Sequence, residues 1–120
     1  MEHELSAFYD ITHGLGLAIL TPRWMEYCLD DTTVGKYIQF ATNVFGVSPE
    51  GDPMDIAKKG IDCLAKFLFE TLELKSTLTD LNIGREHFEI MAKKASACGA
   101  LYGFKPLQPA DIEKIYAMCL

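Results

Sequence analysis

The chain has 120 residues, of which 49 % are hydrophobic and 23 % charged, and it carries a formal net charge of −6. That is the length and composition of one folded domain, and it excludes a disordered chain. Basic runs stop at two residues (Lys58-Lys59 and Lys93-Lys94), which excludes a nucleic-acid footprint.

The N-terminus, Met1-Glu2-His3-Glu4, is acidic and has no basic secretory n-region. A first helix is predicted to end near Tyr9. Asp10-Ile11-Thr12 then offers a break, in which Asp10 or Thr12 caps a second helix starting near His13 and running toward Leu29. Pro22 is expected to kink or restart that helix. The uncharged run Ile11–Pro22 is shorter than the ~20 apolar residues a membrane span needs. No membrane partner and a cytoplasmic location follow as expectations.

Val34, Tyr37, Ile38, Ala41 and Phe45 recur at helical spacing after the cap candidates Asp31-Thr32-Thr33, and Gly46 ends that segment. Pro49-Glu50-Gly51-Asp52-Pro53 is a loop, with Asp52 as cap and Pro53 in the first turn of the next helix. That helix is predicted to reach about Leu74, with Ile61, Leu64, Leu68 and Leu72 on one stripe. Lys75 to Gly84 reads as a connector. Phe88, Met91, Ala92 and Ala95 mark a further helix, stopping at Gly99. Pro106-Leu107-Gln108-Pro109 leads into a last helix with Ile112, Ile115, Tyr116 and Cys119 facing one way. No segment alternates with a strand's period. The fold class is therefore all-α, a bundle of five to six helices over residues 1–120, and no linker divides it.

Four cysteines (Cys28, Cys63, Cys98, Cys119) form no CxxC pair. They read as buried free thiols of a reducing compartment, with a disulfide or a zinc site as the other options. His87 lies among Glu86 and Glu89 and is expected to face solvent. Trp24 and Tyr27 are expected to pack between helices, and Phe8 and Tyr9 to pack in the core or line a cleft.

The informative stretch is His3-Glu4-Leu5-Ser6-Ala7-Phe8-Tyr9-Asp10-Ile11-Thr12-His13-Gly14. On one unbroken helix the two histidines would be separated by ~15 Å of axial rise and could share no small site. A turn at Asp10–Thr12 lets the rings converge on one pocket. Gly14 and Gly16 allow a close backbone approach there. The HExxH zinc pattern is absent, and a tetrahedral metal site needs three or four protein ligands, whereas two well-placed candidates are visible.

The run from His3 to Pro22 resembles a signature region of the iron-containing alcohol dehydrogenases, in the version of their butanol dehydrogenase branch. The tail from Phe104 to Tyr116 is similar to that branch's C-terminal ending, and Thr77 to Ile83 to its usual connector. Members have a dinucleotide-binding N-terminal part and a helical C-terminal part that holds iron, or in some cases zinc. The resemblance implies that His13 is a metal ligand and that His3 lies beside the nicotinamide and substrate, in a catalytic and cofactor-contacting role. It also implies that the other ligands and the glycine-rich phosphate loop belong upstream of residue 1. The expected activity of the parent is hydride transfer between NAD(P)H and a small aldehyde or alcohol, with the metal as Lewis acid.

On this reading the 120 residues are a C-terminal fragment whose partner is the dinucleotide-binding domain. Alone it is expected to be inactive, to bind neither metal nor NAD(P)H stably, and to self-associate through an uncovered apolar face. The alternative is a stand-alone helical interaction module without catalysis. A third reading is a metal-binding protein that uses His3 and His13 from paired chains.

Overall fold

A computed structural model describes all residues from 1 to 120. It contains six α-helices: α1 (Glu2–Tyr9), α2 (His13–Cys28), α3 (Val34–Phe45), α4 (Pro53–Lys66), α5 (Phe88–Ala95) and α6 (Pro109–Met118). There is no strand, only an isolated antiparallel bridge between Leu101 and Leu107. The all-α expectation and the helix count both hold. No helix is long and apolar enough to cross a membrane.

The residues pack into two compact units. The first joins Met1–Arg23 to Lys75–Leu120, and the second is Trp24–Leu74. Helix α2 contributes to both.

In the first unit α5 packs against α6 and α1 against α5. Leu5, Phe88, Met91, Ile112, Ile115 and Tyr116 are buried there, and the Phe88 and Tyr116 rings meet at 5.4 Å between centroids. Distant segments are tied by hydrogen bonds. Tyr116 Oη donates to the Met1 carbonyl at 2.7 Å, and the Leu78 amide donates to the Cys119 carbonyl at 2.7 Å. Burial raises the Cys119 thiol to about 12 and pushes the Tyr116 phenol up as well. The 75–84 connector is more than loop, since Leu78 and Ile83 are buried around a 3₁₀ turn at Thr79–Leu81.

The second unit is a helical hairpin, α3 against α4, closed by the last turn of α2. Its core is Met25, Tyr37, Ala57 and Ile61, with Trp24, Leu29, Val34, Phe40 and Leu64 packed on it. Tyr37 Oη donates to the Met25 carbonyl at 2.7 Å, and burial pushes this phenol up too. Gly60 lets α4 approach α3, because a Cβ there would lie 2.6 Å from the Ala41 Cβ. Asp52 caps α4 as expected, accepting from the Asp55 amide at 3.0 Å. At α3 the organising side chain is Asp30, which accepts from the Thr32 and Thr33 amides at 2.8 and 3.1 Å. Thr33 occupies the cap position without a side-chain cap bond.

Three boundaries differ from expectation. Helix α2 continues through Pro22 instead of restarting. Proline withholds one amide donor, and side chains serve neighbouring carbonyls: Thr21 Oγ1 donates to Leu17 and Arg23 Nη1 to Ile19. Helix α4 gives way to a π turn at Phe67–Thr71 rather than running to Leu74, and Leu72 is exposed. A π turn rotates the following residues off the stripe set by the helix before it. Helix α5 stops at Ala95, four residues before Gly99, because Ala97 and Cys98 adopt left-handed backbone (φ 50° and 59°).

Candidate functional site

The site is built by the turn between α1 and α2. Asp10 ends α1 in the left-handed region (φ 51°, ψ 38°), and its amide donates to the Ser6 carbonyl at 3.0 Å. Aspartate is among the few residues that enter this region readily. Thr12 opens α2 with its backbone, its carbonyl accepting from the Leu15 and Gly16 amides at 3.0 and 3.1 Å. The chain thus reverses within three residues. His3, in the first turn of α1, comes beside His13, the first residue of α2.

Their rings stack, with centroids 5.3 Å apart and planes 25° apart. Both side chains are exposed, whereas Glu2 beneath them is only 5 % exposed. Glu2 Oε1 accepts from Ser6 Oγ at 2.6 Å, and Glu2 Oε2 pairs with His13 Nδ1. One donor atom each from Glu2, His3 and His13 lie within 4.8 Å of one another. A buried carboxylate is costly unless it is paired and hydrogen-bonded; here Oε1 is hydrogen-bonded and Oε2 has only the His13 ring beside it. Gly16 makes room for it: a Cβ at that position would lie 2.9 Å from Glu2 Cγ. Gly14, expected to serve the same purpose, faces open space.

The turn brings the two predicted histidines together. Glu2 was missed. Its signal was its spacing to Ser6, one helical turn later on the same face, and that spacing says nothing of the contact with His13. The donor set of two imidazoles and a carboxylate fits iron or zinc, both of which accept nitrogen and oxygen ligands.

The other candidates lie apart from this chemistry. His87 is exposed, as expected, but its ring contacts Phe8 and Tyr9 at 5.1 and 5.8 Å. Lys94 lies 5.0 Å over the Phe8 ring and pairs with Glu4 at 3.3 Å. Phe8 and Tyr9 therefore pack α1 on α5. Burial raises the Tyr9 phenol, and the Glu86 charge adds to that. All four cysteines are free, but only Cys28 and Cys119 are buried; Cys63 is half-buried and Cys98 exposed. Cys98 sits in the left-handed turn after α5, where the chain leaves the core.

Residues 1–120 match the C-terminal region of the Fe-containing alcohol dehydrogenase family. The chain belongs to that family. Among curated members it is 42 % identical over 118 residues to NADH-dependent butanol dehydrogenase A of Clostridium acetobutylicum, covering 97 % of this chain and 30 % of that protein. NADH-dependent butanol dehydrogenase B of the same organism matches at the same identity and coverage. The crystal structure of NADH-dependent butanol dehydrogenase A from Thermotoga maritima superposes with a TM-score of 0.82 at 28 % identity, covering 98 % of this chain and 31 % of that one. The chain thus spans about 30 % of the length of the curated iron-type dehydrogenases it matches.

Proposed function

We propose that this chain supplies the helical, metal-facing part of an NAD(P)H-dependent alcohol dehydrogenase of the butanol dehydrogenase kind. The whole enzyme moves a hydride between the nicotinamide and a small aldehyde or alcohol. The observation that carries this reading is the convergence of His3 and His13 over a buried carboxylate.

His13 holds the metal, which is iron or zinc. When bound, the metal supplies Lewis-acid polarisation of the carbonyl oxygen. His3, exposed and stacked on His13, positions the substrate or passes a proton beside the nicotinamide. The stacked rings keep this donor next to the metal ligand, so a proton is held where charge develops on the reacting oxygen. The Asp10 turn and the Gly16 approach set the spacing of the two helices that carry the rings.

The chain contains no G-x-G-x-x-G loop for a pyrophosphate. Its partner in this reading is a dinucleotide-binding domain, which brings NAD(P)H and the remaining ligands, in keeping with the chain spanning 30 % of its relatives' length. Alone, the 120 residues neither reduce aldehydes nor hold metal or NAD(P)H stably.

The test is a chimera. This chain replaces the 118 matched residues of the Clostridium acetobutylicum butanol dehydrogenase A. NADH-linked butanol oxidation and stoichiometric metal are expected. His13→Ala should lose both together. His3→Ala should keep the metal and lose about 10²–10⁴-fold in turnover. A His13→Ala chimera that retains metal and turnover overturns the reading.

A further inference from the structure

Glu2 is the most deeply buried charged side chain at the site. Its carboxylate lies beneath two exposed imidazoles and is 5 % exposed. Oε1 accepts from the Ser6 hydroxyl at 2.6 Å, and Oε2, which has no other partner, lies against His13 Nδ1. The single Ser6 hydroxyl proton faces two acceptors, Oε1 at 2.6 Å and the Ile11 carbonyl at 3.2 Å in the turn that sets His13, and the shorter contact is to Oε1. Gly16 is the position whose Cβ would collide with this carboxylate. Four residues from two helices and the turn between them thus fix one carboxylate against one nitrogen of one ring.

We infer that Glu2 is the positioning residue for His13: it accepts the Nδ1 proton, fixes the tautomer and ring rotation, and leaves Nε2 with the free lone pair. Imidazole ligands commonly donate their other ring N–H to a carboxylate, which orients the ring and raises its basicity. In this role Glu2 acts through the His13 ring, with its Oε1 held by Ser6. Ser6 acts one step further out, by holding the carboxylate's other oxygen. The inference rests on His13 being the metal ligand of the proposed function, but the Glu2 hold exists without metal and is read without it.

The experiment uses the metal-free 120-residue chain with ¹⁵N-labelled histidine. Long-range ¹H–¹⁵N spectra, recorded where imidazole is neutral, report which ring nitrogen carries the proton. His13 is expected as the Nδ1–H tautomer, with His3 in the same spectrum as the internal comparison. Glu2→Ala should return His13 to the Nε2–H form that imidazole prefers in water. In the butanol dehydrogenase chimera, Glu2→Ala should weaken Zn²⁺ binding about 10- to 100-fold while one site per chain remains.

A wild-type His13 protonated at Nε2, or a tautomer unmoved by Glu2→Ala, overturns the inference. If Glu2→Ala does not fold, the wild-type spectrum decides alone. A His13 that shows the Nδ1–H tautomer, in a chimera whose His13→Ala form keeps its metal, sinks the metal reading and not the Glu2 contact.

Discussion

The two packed units use the chain in opposite ways. Residues 24–74 form a hairpin from neighbours in sequence, so α3 meets α4 across one short loop. The other unit joins the first 23 residues to the last 46, and its ties run between distant segments, such as Tyr116 to Met1 and Cys119 Sγ to the Ile19 carbonyl. The metal-capable cluster of Glu2, His3 and His13 lies wholly in this non-local unit. A local hairpin holds its own shape through short loops and caps. A site that must hold a buried carboxylate under two exposed rings needs a backing that later helices provide.

The comparison can be broken at its cores. Phe88→Ala removes a ring that is 2 % exposed and packs tilted against Tyr116. It should cost about 3–5 kcal/mol, seen as faster amide exchange in α5 and α6. In the hairpin, Gly60→Ala pushes a methyl into Ala41 and should cost about 1–3 kcal/mol. The fluorescence of Trp24, which packs on that core, reads the denaturation midpoint. Ala41→Gly on the same background should recover part of the loss, and failure to do so would place the strain elsewhere. Asp52→Ala removes the α4 cap bond and should cost about 1 kcal/mol by the same readout.

The smallest effect near neutrality comes from pH. The folded Cys119 thiol is raised from 9.0 to about 12, and the Tyr37 and Tyr116 phenols are raised from 10.0. The unfolded chain therefore loses these protons first. The stability they carry is complete below about pH 9 and falls as pH rises toward the folded values. The melting temperature should drop as pH rises from about 9 to 11. A flat profile would mean that these groups ionise equally in both states.

The hairpin was the more legible unit in the sequence. Asp52-Pro53 and Gly46 are punctuation with local causes, and the structure uses them as read. The reach of α4 was overread, because a π turn leaves no mark in a hydrophobic stripe. In the other unit, the break at Asp10–Thr12 was visible, and so was the approach of two histidines that the break permits. Glu2 was not, because its meaning depends on a nitrogen eleven positions away on another helix. Likewise Leu78 and Ile83 read as connector residues, yet both are buried and the Leu78 amide is tied to Cys119 near the chain's end. Local chemistry writes itself into neighbouring letters, whereas a buried pair between helices is written in two places with nothing to link them.

The hydroxyl of Tyr116 that holds the Met1 carbonyl has a consequence for synthesis. A ribosome makes α1 and α2 before α6. At about 5–20 residues per second, the histidine turn leaves the ribosome several seconds before the tyrosine that holds the Met1 carbonyl. During that interval the hairpin can close, but α1 lacks the Tyr116 bond and, at first, the α5 face on which it packs. Nascent chains stalled before α6 should therefore be cut by protease within α1 and α2, and chains stalled beyond it should be protected there.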